Sequence, residues 1–365
     1  MRKRYVIVVW SLLVVLAMGR TPLAAATLIE PPRTAPLIQD VDVLVVGGTT
    51  GAVAAAQAAA SKGASVFLVT DYPCLGEDMA GTLHVWAHRA DVESSELLQA
   101  MFETKAEGDT LYTTPLRIKQ ALDRTLLHAG VRFLTGSYAT DVLTDAAGHV
   151  SGAVIANRSG RQAIQAKAVI DATGRGGLAR AAGAEVTQFP AGTYTVSRVV
   201  IAGEPPANST RREDWQPAKD VMQLSRKTQI TPALYECKMD IAFADGSAQA
   251  FQQAENAARD RTFVRSQLDA ADRLFFVPPD HIRAEQGVTD AAAAVADLDL
   301  AALQPAGTAN LYVLGPMADV PRSVAAEFFR PAAAIQLGRR LGERAAAEAK
   351  KRATPIDVQR RTAVT

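Results

Sequence analysis

Gly47, Gly48 and Gly51 stand directly after the apolar run Val43-Leu44-Val45-Val46 and directly before a run of alanines. Glycines at such a place let the backbone turn tightly and let an anion approach its N–H groups, while the start of a helix adds the positive end of a dipole. The chemistry that suits Gly47-Gly48-Thr49-Thr50-Gly51-Ala52 is therefore capture of a dinucleotide pyrophosphate. The spacing G-x-G-x-x-G is met in part, because Thr49 and Ala52 occupy its second and third glycine positions. Taken alone, the motif also suits a strand-to-helix turn in another kind of α/β protein. Dinucleotide folds place an acid at the end of the second strand, where it accepts from the ribose hydroxyls. Here that position is Thr70, with Asp71 next; the threonine hydroxyl bonds a ribose without charge, and Asp71 reaches it by a small shift.

These residues need alternating strands and helices to carry them. Residues 41–46 are apolar almost throughout, as a strand covered on both faces must be. Residues 50–61 form a small-residue helix closed by Lys62-Gly63, and 65–69 read as a second buried strand, completing a parallel strand, helix, strand unit. The spacing of Leu116, Ile118, Leu122 and Leu126 predicts a helix over 114–129, stopped by Gly130 before a strand at 131–134. Residues 139–143, 150–157 and 162–166 alternate in polarity around Gly148 and Ser159-Gly160, the pattern of an antiparallel meander. A further buried strand, 168–174, runs into a helix at 178–182. From 191 to 306 the texture changes, with Trp215, Tyr235, Phe243, Phe251, Phe263, Phe275 and Phe276 set among charges and prolines. The strand 310–315 and the alanine-rich helix 331–350 then return to the style of the opening.

A chain of 365 residues exceeds what one core usually organises. With 39 basic and 38 acidic side chains, and neither gathered into a block, it has no field for nucleic acid or an anionic membrane. Two cysteines, Cys74 and Cys237, and five scattered histidines give neither a disulfide framework nor metal-ligand spacing, so no metal is expected. Arg2, Lys3 and Arg4 precede the uncharged apolar run 5–18, which is short of the ~20 residues a membrane span needs. Ala24-Ala25-Ala26 follows, so residues 1–26 read as a signal peptide cleaved after Ala26, with an uncleaved N-terminal anchor as the alternative. The mature chain is then expected to be exported, periplasmic or secreted, with no membrane span. Pro31, Pro32 and Pro36 make 27–40 a stiff extended leader.

In four islands the sequence resembles the FAD-dependent oxidoreductases of the glutathione-reductase-like flavoprotein superfamily, which carry two dinucleotide-binding domains, and in particular their secreted bacterial branch. Residues 42–69 carry the glycine turn. Residues 72–83, with Cys74-Leu75-Gly76-Glu77-Asp78-Met79, resemble the L-G-G-M-x-T-x-G loop beneath the flavin, Glu77 replacing a glycine. Val169-Ile170-Asp171-Ala172-Thr173-Gly174 resembles the A-T-G strand, and Leu311 to Gly315 with Asp319 the closing segment that brings a glycine and an acid to the ribityl-phosphate region.

The resemblance implies an α/β fold: a Rossmann-like FAD-binding domain at 41–190 and 307–352, with a parallel sheet and an antiparallel meander, and a smaller mixed substrate domain inserted at 191–306, before a tail at 353–365. It implies FAD as cofactor, held by Gly47, Gly48, Thr49, Thr50, Gly51, Ala52, Thr70, Asp71, Gly76, Glu77, Asp78, Met79, Ala139, Ala172, Thr173, Gly174, Gly315 and Asp319. The implied activity is that of a dehydrogenase or oxidase taking electrons from a small organic substrate to a quinone, a carrier protein or oxygen, since one glycine turn leaves no second domain for NAD(P)H. Two alternatives stay open: a non-catalytic flavin- or nucleotide-binding protein, and a hydrolase or lyase on the same scaffold. His84 is a candidate base or flavin attachment point as well as a packing residue, and Arg330 a candidate for a substrate carboxylate or a reduced flavin as well as a partner of Glu327. Cys74 reads as a redox thiol, as a partner of Cys237, or as a packed cysteine. A second copy of the chain is a possible partner completing the site.

Overall fold

The computed structural model describes residues 33–355, apart from 104–107, 214, 216–225, 228 and 275–279, together with 358–360. The signal-peptide segment 1–26, leader residues 27–32, Phe275, Phe276 and tail residues 361–365 lie outside the described residues. The chain divides into two compact units, Met1–Thr34 and Ala35–Thr365; only Arg33 and Thr34 of the first are described, and the fold below is that of the second.

Strand β1 (Leu37–Val46) leads through the glycine turn into helix α1 (Thr50–Ser61), and strand β2 (Val66–Val69) returns parallel to β1, with Val43 opposite Val66 and Val46 opposite Val69. Strand β1 begins at Leu37, inside the stretch read as leader, because Leu37 to Val41 pair with a strand far along the chain. Local apolar patterning carries no trace of that pairing. Helix α1 is capped by the Thr49 side chain, which accepts from Ala52 N at 3.1 Å, an interaction worth about 1 kcal/mol. Helix α2 (Pro115–His128), capped by Thr114 and opened by Pro115, buries Ile118, Leu122 and Leu126 and leads to strand β3 (Arg132–Leu134), which pairs with β2.

Strands β4 (Tyr138–Thr144), β5 (Val150–Asn157) and β6 (Gly160–Asp171) form the antiparallel meander. Strand β6 is long enough to do two things: its first half pairs with β5, and its second half runs parallel to β1, Val43 to Val46 facing Ala168 to Asp171. The sheet therefore reads from 359–360 through β4, β5, β6, β1 and β2 to β3. Both faces of its parallel part are covered. Val43, Val45, Leu68 and Ile170 join one core with α1, whereas Leu44, Val46, Phe67 and Val169 join another with Leu178 and Ala179 of the short helix Gly177–Ala181. That double burial accounts for the unbroken apolar runs, each large side chain contributing about 1.5–3 kcal/mol.

The second sheet is antiparallel: Ser209–Arg211, then β8 (Ala233–Phe243), β7 (Gly192–Ala202) and β9 (Gln267–Ala270). Helix α3 (Ala248–Thr262) covers one of its faces with Phe251, Ala254 and Ala258. From the other face Val199, Ile201 and Leu234 enter the same core as α1. The segment after this sheet places Val295, Leu298 and Leu303 in that core too, ahead of the return at β10 (Leu311–Val313), which lies parallel to β6. Helix α4 (Pro331–Lys350) closes the chain's main layer against α1. Among the described residues no helix is long and apolar enough to cross a membrane, and no group of His, Cys, Asp and Glu is placed to hold a metal ion.

Candidate active site

Three strand ends meet where the sheet's parallel strands stop. Gly47 N donates to Val69 O, Ala172 N to Val46 O and Leu314 N to Asp171 O, so the glycine turn, the A-T-G segment and the closing strand are laced side by side. Gly47 takes a φ of +126°, and a Cβ there would lie 2.3 Å from Ala172 O. Only glycine lets the two backbones approach this closely. Gly51 likewise abuts Ala334 O of helix α4, which a Cβ would meet at 2.9 Å.

A cavity of about 250 Å³ opens over this junction. Thr49, Gly51, Ala172, Gly174, Leu314, Gly315 and Ala334 line one side; Phe251 and Glu255 of α3, Arg273 and Leu274 after β9, and Phe328 and Phe329 before α4 line the other. Arg175 stacks its guanidinium 3.6 Å over the Phe251 ring, and burial pushes its pKa down. The two sides are tied together at the flavin-loop position: Asp272 N and Arg273 N donate to Gly81 O at 2.8 and 3.2 Å, and the Tyr72 hydroxyl donates to Asp272 at 2.6 Å.

Glu77 and Asp78 sit at the mouth of helix α1. Asp78 accepts from Thr50 N at 2.9 Å and from the Thr50 hydroxyl at 2.6 Å, and Glu77 accepts from Gly48 N at 3.4 Å. Glu77 also meets Arg273 at 2.9 Å. Burial pushes the Glu77 carboxyl up to about 7, against the pull of Arg273 and with the help of Asp71 and Asp78. Asp78 is raised as well, by burial, against its bonds to Thr50.

Of the residues singled out from sequence, Thr49, Gly51, Glu77, Asp78, Ala172, Gly174 and Gly315 line the cavity. Thr70 packs against Gly48, and its hydroxyl accepts from Tyr72 N at 3.2 Å; Asp71 is half exposed and 3.6 Å from Arg273. Gly76 is a packing glycine, its Cβ position filled by Ile118 and Leu122, and Met79 is fully buried in the core. Thr173 bonds Asp171 and Gly177 N at the start of the short helix, and Ala139 pairs with Ile155 in the meander. Asp319 is turned from the cavity toward Arg283 at 3.2 Å and Ala284 N at 3.0 Å. His84 is half-buried against Trp86, ring centroids 4.2 Å apart, and burial pushes its pKa down to about 4. Arg330 pairs with Glu327 at 2.8 Å and with Asp91 at 3.2 Å. Neither lines the cavity. Cys74 and Cys237 are both free thiols, Cys237 inside the second sheet's core.

The charged and aromatic cavity residues not named as site candidates are Arg175, Phe251, Glu255, Arg273, Phe328 and Phe329. Arg175 had a signal, since it directly follows the A-T-G segment. Arg273 had none: it reaches Glu77 through a fold that joins positions 196 residues apart, 77 and 273.

The sequence profile described as FAD dependent oxidoreductase matches residues 42–344. No curated protein matches the chain. Among solved structures, a geranylgeranyl bacteriochlorophyll reductase-like protein from Thermoplasma acidophilum superposes with a TM-score of 0.53 at 14% identity, over 86% of this chain and 79% of that one. BexE, studied for oxidation during BE-7585A biosynthesis, gives 0.55 at 13% over 86% and 63%. The anhydrotetracycline hydroxylase OxyS from Streptomyces rimosus gives 0.51 at 11% over 84% and 62%. The chain thus spans under two thirds of the length of BexE and OxyS. At these identities the likeness is one of fold: an α/β, Rossmann-like FAD-binding architecture with a further domain.

Proposed function

Because the chain belongs to the FAD dependent oxidoreductase family, with FAD as its cofactor, we propose that it dehydrogenates a small organic molecule in the cavity between the glycine turn and helix α3. The electrons then pass to a quinone, a carrier protein or oxygen. The observation that carries this reading is the junction itself. A glycine turn, the A-T-G strand end and the closing strand converge on one cavity whose far side is aromatic and cationic.

The residues at this junction suit the cofactor's phosphates and ring. Gly47 and Gly51 keep the floor of the turn free of side chains, and Ala172, Gly174 and Gly315 present small groups to the same space. Thr49, Gly51 and the first turn of α1 would hold the pyrophosphate, although the Thr50 and Gly48 amides are shared with Asp78 and Glu77. Bound FAD supplies the two-electron redox chemistry. The chain's own part is orientation and exclusion of water. Phe251, Phe328 and Phe329 form an apolar wall, while Arg175 and Glu255 place one positive and one negative group where a polar substrate would be aligned.

The test is the visible absorbance spectrum of the purified protein before and after denaturation, followed by anaerobic addition of candidate substrates. Flavin bands, FAD in the released fraction and bleaching by a substrate are expected. A colourless protein that takes up no added FAD would overturn the reading. The carboxylates at the helix mouth favour a second reading, a flavin- or nucleotide-binding protein without turnover, and a bound flavin that no candidate reductant bleaches would select it. We also propose that the chain is exported, on the strength of the charged, apolar and small-residue sequence of residues 1–26.

A further inference from the structure

The amides that open helix α1 are the natural seat for a pyrophosphate, yet two carboxylates of the chain already bond them. Asp78 takes Thr50 N at 2.9 Å and Glu77 takes Gly48 N at 3.4 Å, while Thr49 Oγ1 takes Ala52 N at 3.1 Å. Both acids line the cavity. One N–H shared between a carboxylate and a phosphate oxygen bonds each of them more weakly, and a second negative group at the same helix end is repelled by the first. The cation nearest these acids is Arg273, 2.9 Å from Glu77 and 3.6 Å from Asp71. The other charged or titratable groups about this corner include Arg175 and Glu255, which line the cavity, Tyr72 and Asp272, which bond each other, and the Cys74 thiol, which lies near Glu77.

We propose that Glu77 and Asp78 act as an internal anion that competes with the FAD pyrophosphate for the Gly48 and Thr50 amides, and that Arg273 transfers from Glu77 to the phosphates as FAD binds. The inference rests on the FAD reading above. It makes cofactor affinity a property of the carboxylates' charge. Neutralising either acid, by substitution or by protonation, weakens its hold on the amides and removes its repulsion of the phosphates without adding a new contact. Burial raises both acids, Glu77 to about 7, so FAD affinity increases as the pH falls through neutrality. Riboflavin, which has no phosphate, is indifferent to the exchange.

The experiment is a flavin-fluorescence titration of the full chain, stripped of flavin, with FAD and separately with riboflavin at pH 6 and pH 8. Wild type, Asp78→Asn, Glu77→Gln and Arg273→Gln are compared. Asn and Gln retain an acceptor oxygen for the Thr50 and Gly48 amides, so the local fold is preserved while the charge is lost. Expected are FAD binding about tenfold or more tighter in Asp78→Asn at pH 8, wild-type binding that tightens from pH 8 to pH 6, and loss of that pH dependence in Glu77→Gln. Arg273→Gln weakens FAD binding, and riboflavin affinity is the same throughout. FAD affinities in Asp78→Asn and Glu77→Gln equal to or weaker than wild type, or riboflavin shifting in step with FAD, would overturn the competition and leave the FAD reading standing. Failure of every form to bind FAD at either pH would overturn both.

Discussion

Gly338 and Gly342 set how closely helix α4 approaches helix α1, and the approach can be tested by adding a single methyl group. A Cβ at Gly338 would lie 2.2 Å from Gly51 O, and one at Gly342 would lie 2.1 Å from Ala55 O. Opening the Gly338 contact from 2.2 Å to the 3.4 Å of ordinary van der Waals contact requires a displacement of about 1.2 Å. Overpacking of this kind costs about 1–3 kcal/mol, and a rigid backbone carbonyl puts these sites near the upper end. Alanine returns about 1 kcal/mol through its better helix propensity. The net loss is about 2 kcal/mol, or roughly 3 °C in Tm for a chain of this length. The two positions part company in function, because Gly338 presses on Gly51, which lines the cavity, whereas Gly342 presses on Ala55 one turn farther along α1. Gly338→Ala is therefore expected to lower Tm and FAD retention together, and Gly342→Ala to lower Tm alone. Thermal unfolding followed by circular dichroism, with flavin content measured on the same samples, reads both effects. Wild-type Tm in both variants would refute the packing argument, and equal flavin loss in both would refute the claim that the displacement acts locally on the turn.

His84 and Glu77 pull the pH dependence of stability in opposite directions. His84 is held neutral, its pKa lowered by burial from 6.5 to about 4, so its contribution is complete above pH 6.5 and is lost, up to about 3 kcal/mol, as the pH falls toward 4. Glu77, raised by burial from 4.5 to about 7, contributes below pH 4.5 and loses that contribution as the pH rises through 7. Urea midpoints at pH 4–7 should rise less steeply with pH in His84→Gln than in wild type; parallel profiles would disprove the assignment. Arg175→Gln removes the guanidinium 3.6 Å above Phe251 and is expected to slow substrate bleaching about tenfold at unchanged flavin content, and an unaltered rate would remove Arg175 from the substrate's environment. Expression in a bacterial host followed by N-terminal sequencing should give a mature chain beginning at Thr27, and an intact Met1 would count against cleavage after Ala26.

Residues that act through their neighbours in sequence were the legible ones. An apolar run covered on both faces, a glycine turn, an alanine helix and a second apolar run lie within 41–69, and their order implies a parallel β-α-β unit whose turn suits a dinucleotide. The A-T-G strand and the strand ending at Gly315 add FAD through their resemblance to the FAD-dependent oxidoreductases, each being a short backbone motif of glycines and small residues. Side chains whose role depends on a distant partner were not legible. Asp319 stands beside a glycine strand in sequence, but the fold turns it toward Arg283. His84 directly follows the flavin-like loop but is half-buried against Trp86 and does not line the cavity. Phe251, Glu255 and Arg273 lie outside the four islands of short motifs, and only the packing of the second sheet's loop on Gly81 brings Arg273 to Glu77 beside the glycine turn. The backbone conformations that build a cofactor cradle are written in local residue types, because glycine, alanine and β-branched side chains restrict φ and ψ where they stand. Which charge meets which amide at the mouth of α1 is decided only when residues 28 and 29 positions apart are packed together, and which cation meets Glu77 only when positions 77 and 273 are, because electrostatics and burial act through space and not along the chain.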